Sequence, residues 1–196
     1  GRPAINRAKI ASADPLYLPD DSHWNSRGVY SVYPFLIEQL QKRLPQLAPV
    51  SPGRVRRVIV PGRGAELADI LEMKRYYAQD IHAIEIENSE AQKVDLGRPG
   101  LAIPPRVRVT TYERSGADGV SAVVFADSFG DQFHPVLAET FRRVVIVHQP
   151  YFWEELIEAE RPDVVLRINV EACLMSDEDA ARYMAGELYA DGDLKG

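Results

Sequence analysis

The sequence predicts an α/β domain with a mostly parallel sheet, and two observations support that fold class. First, strand-like and helix-like patterns alternate from residue 55 onwards. Second, the runs 120–126 and 144–148 are almost continuously apolar, as expected of strands covered on both faces. This alternation is typical of a layered domain in which ligands bind beyond the carboxyl ends of the strands.

The length and composition limit the classes of protein that the chain can belong to. We expect its 196 residues to form a single domain, 1–196, with residues 1–18 as an irregular lead-in. A net charge of −6 argues against non-specific nucleic-acid binding, which needs a basic face. The one cysteine, Cys173, excludes an intramolecular disulfide and a thiolate zinc site. No stretch approaches the roughly 20 apolar residues of a membrane span.

The predicted elements follow one another in a simple order. Apolar residues at helical spacing predict a helix between Val29 and Leu44, with Pro34 marking a kink or a late start. A Pro/Ser/Gly linker follows at 49–53. Strands are predicted at 55–60, 81–86, 107–112, 120–126, 144–148 and 163–168. Helices are predicted at 64–73, 131–142 and 151–160, and Ser176 with Asp179 indicates the start of a last one.

A candidate nucleophile, Ser128, lies where the apolar run 120–126 ends in A-D-S-F-G-D. A serine between a strand and a helix lies near backbone N–H groups that can stabilise an oxyanion. Serine needs a base, usually histidine, and a carboxylate that orients the base. The alternative is that Asp127 or Ser128 only caps the helix.

Among the four histidines, His23 has the most suitable setting for a base. It lies in the irregular stretch D-D-S-H-W-N (20–25), two residues after Asp21. In an extended segment, residues two apart point to the same side, so we expect Asp21 to bind one imidazole nitrogen while the other faces Ser128. The alternative is a polar turn with a packed His–Trp pair.

These motifs together resemble the permuted SGNH-hydrolase-like domains of the alginate O-acetyltransferase AlgJ/AlgX family. The resemblance rests on D-S-H-W (21–24), on the approach L-Y-L-P, on the D-S-F turn about a hundred residues later, and on the closing segment 155–174. It implies a three-layer α/β/α fold, SGNH-hydrolase-like, and acyl transfer onto or off a sugar hydroxyl. Matched by motif, Asp21 orients the base, His23 is the general base and acid, and Ser128 forms the acyl-enzyme.

The same resemblance suggests further parts of the site and its setting. Asn169 is the candidate oxyanion or substrate-binding side chain, with a structural cap or a solvent-facing asparagine as the alternative. Arg167 is a candidate for contact with a carboxylate or another anion, with a surface charge as the alternative. The implied partners are a carbohydrate acceptor, an acyl donor and the proteins of a polysaccharide-modifying system, in the periplasm or elsewhere outside the cytoplasm. No cofactor and no metal are expected.

Three departures from the family pattern bear on these expectations. Ala126 replaces the usual glycine before D-S, and Ala172 stands where the closing segment often has arginine. Only 20 residues precede Asp21, which favours a fragment or a compact variant.

A different constellation supports an alternative function. V-I-V-P-G-R-G-A-E-L (58–67) reads as strand, Gly-x-Gly turn and helix, with Gly62 and Gly64 able to approach a ligand. Glu85 and Glu87 follow about 20 residues later, which resembles the nucleotide site of S-adenosylmethionine-dependent methyltransferases. The third glycine of the dinucleotide fingerprint is absent, and a tight connection explains the two glycines equally. A binding module with a degenerate site is a third class.

Overall fold

The computed structural model of the chain describes residues 2–11, 15–18, 20–61, 66–73, 75–77, 80–115, 119–149 and 151–170. The α-helices in these ranges are α1 (Arg2–Ala11), α2 (Ser26–Gln41), α3 (Glu66–Ile70), α4 (His134–Thr140) and α5 (Glu154–Glu160). The β-strands are β1 (Val55–Val60), β2 (Ile81–Ile86), β3 (Ala91–Val94), β4 (Arg108–Arg114), β5 (Ser121–Ala126), β6 (Arg143–His148) and β7 (Val164–Ile168). Short 3-10 helices occupy Pro52–Arg54 and Ser128–Phe133.

Five strands form one mixed sheet in the order β3-β4-β6-β5-β7. Strand β5 pairs in parallel with β6 and β7, whereas β4 pairs antiparallel with β6 and β3. Strands β1 and β2 form a separate antiparallel ribbon. Among the described strands, three of the five pairings are therefore antiparallel, and the predicted mostly parallel sheet is not confirmed.

The reason lies in the connections between the strands. A parallel pair needs a crossover of a dozen or more residues, usually through a helix. Within the five-stranded sheet, the connections that carry a described helix are those after β5 and β6, with α4 and α5, and β5, β6 and β7 are its parallel strands. The described connections from β2 to β3 and from β3 to β4 carry no helix, so strand-like segments there pair as antiparallel neighbours.

The helices cover both faces of the sheet and give the molecule three layers. On one face, Val124 and Ile146 of the strands pack with Val29 of α2 and Val136 of α4. On the other face, Phe125 and Val147 are among the strand residues that pack with Trp153 and with Leu156 of α5. The crossovers from β5 to β6 and from β6 to β7 run in opposite directions across the sheet. Because such crossovers share one handedness, their helices lie on opposite faces.

Most predicted elements are present, with two additions. All six predicted strands occur, within one or two residues of their expected bounds. Helix α1 and strand β3 were not predicted; α1 falls in the expected irregular lead-in. Helix α2 begins at Ser26 and contains Pro34, so Pro34 does not mark a late start. The expected helix after Ser176 lies outside the described residues.

None of the described helices is long and apolar enough to cross a membrane.

Candidate active site

Ser128 lies directly beyond β5. At this end of the sheet, the crossover from β5 to β6 and the crossover from β6 to β7 leave toward opposite faces. Open α/β sheets bind their ligands at such a crevice. Asp127 caps the 3-10 helix: its Oδ1 accepts the backbone N–H of Phe129 at 2.9 Å, and its Oδ2 accepts that of Val170 at 2.7 Å. The capping task thus belongs to Asp127, and the Ser128 hydroxyl is left to make another contact.

The segment that carries Asp21 and His23 is a turn rather than the extended segment that we expected. It is closed by a bridge between Tyr17 and Trp24 and by a 3.1 Å hydrogen bond from the Leu18 N–H to the carbonyl of His23. The side chain of Asp21 still faces the ring of His23, because Oδ1 also accepts the His23 backbone N–H at 2.9 Å. This local bond holds the two side chains together without an extended backbone.

The buried end of this turn anchors it to α2. Asn25, which is 2% exposed, caps α2 by accepting the N–H groups of Arg27 and Gly28, each at 3.0 Å. A side chain at Gly28 would meet the backbone oxygen of Leu16 at 2.4 Å, so the close approach of the two segments requires glycine.

The structure brings Asp21, His23 and Ser128 into one hydrogen-bonded chain. His23 Nδ1 lies 2.6 Å from Asp21 Oδ1, and His23 Nε2 lies 2.6 Å from Ser128 Oγ. A neutral imidazole with its proton on Nδ1 donates to Asp21 and accepts the Ser128 hydroxyl proton. This order of contacts is the one that activates a serine nucleophile.

The carboxylate of Asp21 is held in its ionised form. Burial is the largest influence on its pKa and raises it, but the N–H of His23, the His23 ring and the N–H of Glu66 together outweigh burial. The pKa of Asp21 is therefore lower than its ordinary value. An ionised Asp21 can orient the imidazole and stabilise the imidazolium.

Trp24 and Phe129 join the two halves of the site. The indole N–H of Trp24 donates to the carbonyl oxygen of Phe129 at 2.7 Å. The ring of Phe129 lies 4.8 Å from that of His23, centroid to centroid, and Trp24 also packs edge-on against Phe133. Sequence reasoning did not assign either Trp24 or Phe129 a role in the site, although both belong to the quoted motifs.

Asn169 follows β7 beside the Ser128 turn, because the N–H of Asp127 donates to the carbonyl of Ile168 at 3.3 Å. Arg167 Nε donates to Asn169 Oδ1 at 3.1 Å, which fixes the orientation of the amide. Asn169 Nδ2 is buried and has no hydrogen-bond partner among the described residues. Arg167 itself is exposed, and its described contact is to Asn169 rather than to Asp21, His23 or Ser128.

The pairing of β1 with β2 argues against the alternative nucleotide site. In a dinucleotide fold these strands are parallel, so the glycine turn and the acid lie at the same edge. Here they are antiparallel, and Glu85 lies opposite Arg56 with a 2.5 Å ion pair. Val60, which precedes the glycines, lies opposite Ile81. Glu85 and Glu87 thus lie toward the other end of the ribbon, about 13 Å and about 20 Å from Val60; Gly62 and Gly64 lie outside the described residues.

The other three histidines have other surroundings. His148, at the end of β6, contacts Arg108 at 2.9 Å and Asp131 at 3.1 Å. His134 lies 3.4 Å from the Tyr112 hydroxyl, and His82 lies in β2 of the ribbon. Among the described histidines, only His23 has a hydrogen bond to Ser128.

Glu66, at the start of α3, is a neighbour of the site that sequence reasoning missed. Its N–H donates to Asp21 Oδ2 at 3.2 Å, and its Oε2 accepts the Ser22 hydroxyl at 2.6 Å. No motif in the sequence links residue 66 to residues 21–23, so the contact follows only from the fold.

No protein-family model and no curated protein sequence matches the chain. Solved structures do match. A DHHW family protein from Eubacterium siraeum gives a TM-score of 0.66 at 12% identity, over 93% of this chain and 67% of its own. PatB1 from Bacillus cereus, in a structure with a sulfonyl adduct, gives 0.61 at 17% identity, over 83% of this chain and 62% of its own.

The O-acetyltransferase domain of AlgJ from Pseudomonas putida gives a TM-score of 0.50 at 11% identity, over 94% of this chain and 66% of its own. The chain has the fold of these three proteins. The resemblance to the AlgJ/AlgX family is therefore confirmed as a likeness of fold. The chain spans about two thirds of the length of each structure.

Proposed function

We propose that this protein is a serine-dependent O-acyltransferase or esterase that acts on acyl groups, acetyl above all, of a carbohydrate. One observation carries the proposal: His23 lies 2.6 Å from both Asp21 Oδ1 and Ser128 Oγ, through its two different ring nitrogens. The likeness of fold to the O-acetyltransferase domain of AlgJ supports the reaction class.

In the first half of the reaction, Ser128 Oγ attacks the carbonyl carbon of the acyl donor while His23 Nε2 takes the hydroxyl proton. Asp21 stabilises the imidazolium that forms. The negative charge on the carbonyl oxygen is met by the Ser128 N–H and by Asn169 Nδ2, which is buried and has no partner among the described residues. Collapse of this intermediate expels the donor's alcohol, which takes the proton from His23, and leaves an ester on Ser128.

In the second half, a hydroxyl group attacks the Ser128 ester and gives its proton to His23. Collapse returns the proton to Ser128 Oγ and releases the acylated product. A sugar hydroxyl as the attacking group gives transfer, and water gives hydrolysis. By the family resemblance, we expect a polysaccharide acceptor, a separate acyl donor, partner proteins of a polysaccharide-modifying system, and a location outside the cytoplasm.

The test is covalent labelling of the nucleophile. Phenylmethylsulfonyl fluoride should form a sulfonate ester on Ser128 with loss of fluoride, because His23 takes the hydroxyl proton. Peptide mass mapping identifies the labelled residue, and release of nitrophenol from 4-nitrophenyl acetate follows turnover. Ser128→Ala and His23→Ala should each lower that rate by about 10²-fold to 10⁴-fold.

Ser121→Ala is the matched control. Ser121 begins the same strand β5 and also contacts a carboxylate, Asp163, at 2.7 Å, but it lies at the opposite end of that strand. We expect this variant to be labelled on Ser128 and to turn over normally. Labelling that survives in Ser128→Ala, or a wild-type rate in both site variants, would overturn the proposal.

A further inference from the structure

Asp21, His23 and Glu66 gather three potential metal ligands at one point of the surface. One ligand atom from each lies within 4.8 Å of the other two. His23 Nδ1 is 2.6 Å from Asp21 Oδ1 and 3.5 Å from Glu66 Oε2. Two residues of this group belong to the proposed triad, whereas the carboxylate of Glu66 has no part in the acyl-transfer steps.

The set matches the coordination chemistry of zinc. Zinc binds imidazole nitrogen and carboxylate oxygen at about 2.0–2.2 Å in tetrahedral geometry. Two ligand atoms of such a centre lie about 3.3 Å apart, so observed separations of 2.6 Å, 3.5 Å and at most 4.8 Å need changes of up to about 1.5 Å. Glu66 is 45% exposed and His23 is 19% exposed, so an ion can reach the group from solvent.

The fold holds the third ligand in place. The Glu66 N–H donates to Asp21 Oδ2 at 3.2 Å, and the Leu67 N–H donates to the carbonyl of Asp20 at 3.1 Å. These two bonds tie the start of α3 to the turn that carries Asp21 and His23. A water molecule is available as a fourth ligand.

We propose that Asp21, His23 and Glu66 bind a zinc ion, and that the bound ion switches the triad off. Zinc takes the lone pair of Nδ1, so the single proton of the neutral imidazole moves to Nε2. Nε2 then donates instead of accepting and no longer takes the proton of Ser128 Oγ. The site is one for reversible inhibition, and the inhibitory consequence rests on the proposed acyl-transfer function, although the binding does not.

Binding is tested by calorimetric titration of zinc chloride into the Ser128→Ala protein, which keeps all three ligands and lacks the nucleophile. We expect one ion per chain with a micromolar Kd. Glu66→Gln on this background should weaken binding by at least about tenfold, because a carboxamide is a poor zinc ligand. Asp21→Asn gives a second variant, and circular dichroism confirms that each is folded.

The matched control is Glu85→Gln, which removes from the β1–β2 ribbon a glutamate of similar exposure, 55% against 45% for Glu66. It should bind zinc as the parent does. In the wild-type protein, zinc should inhibit nitrophenyl acetate hydrolysis at the concentration at which it binds, and EDTA should restore the rate. The midpoint of inhibition in Glu66→Gln, relative to its own zinc-free rate, should rise at least about tenfold.

The outcomes separate the two proposals. If zinc binding in Ser128→Ala depends on Glu66 but the wild-type protein has no esterase activity, the zinc site is supported and the proposed function is overturned. An active enzyme that binds no zinc, or that binds it equally well in Glu66→Gln, would overturn the zinc site alone. Loss of binding in Glu85→Gln would place the ion elsewhere and also overturn it.

Discussion

The indole N–H of Trp24 donates a 2.7 Å hydrogen bond to the carbonyl oxygen of Phe129, across 105 residues of sequence. Each residue directly follows a member of the proposed triad, Trp24 after His23 and Phe129 after Ser128. The bond therefore sets the distance between the base and the nucleophile, although neither Trp24 nor Phe129 takes part in the proposed reaction. Trp24 is partly buried, and its indole N–H is satisfied by this partner, so the contact also favours this one packing of the two segments.

We expect Trp24→Phe to lower turnover of 4-nitrophenyl acetate by about 10-fold to 100-fold, because a misplacement of 1 Å costs about 10²-fold. The aromatic packing is largely kept, whereas the hydrogen bond to Phe129 is lost. Trp153→Phe is the matched control: Trp153 is 4% exposed and lies on the opposite face of the sheet. If both variants lose stability equally and neither loses turnover per folded molecule, Trp24 is not a positioning residue.

Asn169→Ala should lower kcat by about 10²-fold to 10³-fold with little change in KM, since an oxyanion donor acts in the transition state. Its stability should be unchanged or slightly higher, because Nδ2 is buried without a partner among the described residues and its removal relieves a desolvation penalty. Steady-state kinetics and urea unfolding measure the two effects.

Asn25→Ala gives the contrast, since it removes the cap of α2 and should cost about 1 kcal/mol of unfolding free energy. A stability loss of that size in Asn169→Ala, with normal kcat, would assign Asn169 a structural role.

Gly130 and Ala126 are coupled in the turn that carries Ser128. A side chain at Gly130 would come within 2.3 Å of the Ala126 Cβ. We expect Gly130→Ala to push the 3-10 helix away from β5, to destabilise the protein by about 1–3 kcal/mol, and to lower activity.

The sharper test of this coupling is the double variant. Ala126→Gly removes the colliding methyl group and gives the chain a glycine before D-S. Combined with Gly130→Ala, it should recover most of the lost stability and turnover in thermal unfolding and kinetic assays. Additive losses in the double variant would mean that the clash is not the cause.

Glu139 should make the stability of the protein depend on pH. Its carboxylate is 1% exposed and accepts hydrogen bonds from Ser89, from the N–H of Ala91 and from Arg54. Burial is the largest influence on its pKa and raises it, but these bonds outweigh it and hold the pKa below the ordinary value of 4.5. The stabilisation is therefore full above pH 4.5 and is lost as pH falls through the lower pKa of the folded state.

Glu139→Gln should cost about 2 kcal/mol of unfolding free energy at pH 7, and its deficit relative to wild type should shrink below about pH 4.5. Urea unfolding at pH 7, 5 and 4 measures the deficit. The exposed pair of Glu85 with Arg56 is the control, and Glu85→Gln should show no measurable loss of stability at any of these pH values. A deficit for Glu139→Gln that grows on acidification would contradict the assigned direction of the pKa shift.

Local patterns predicted much of this molecule because they reflect short-range physics. Burial on both faces makes β5 and β6 continuously apolar, and helical spacing marks the buried face of α2. The pairing of Asp21 with His23 was also accessible, because both side chains belong to one short turn. The expected extended backbone was wrong. The segment is a turn, in which a hydrogen bond from the His23 N–H to Asp21 holds the two side chains together.

Strand partners were not accessible in the same way. The runs that became β1 and β2 are ordinary strand patterns, and nothing in them states whether the neighbour is parallel. The antiparallel pairing argues against the nucleotide site. A parallel pairing would place Glu85 beside the segment that leads to the glycines, whereas here Glu85 lies away from that segment. The edge strand β3 escaped prediction since only four residues, A-Q-K-V, form it.

By itself, the sequence determined which residues were chemically capable of acting: a serine at the end of a buried strand, and a histidine with its own carboxylate. The tertiary structure alone decided that they meet, through the Trp24–Phe129 contact and the cap at Asp127. The tertiary structure also brings Glu66 next to Asp21 and His23, a contact that no sequence motif predicted. Residue type and local spacing can be read from the sequence, whereas a contact across 105 residues depends on how the helices and the sheet pack together.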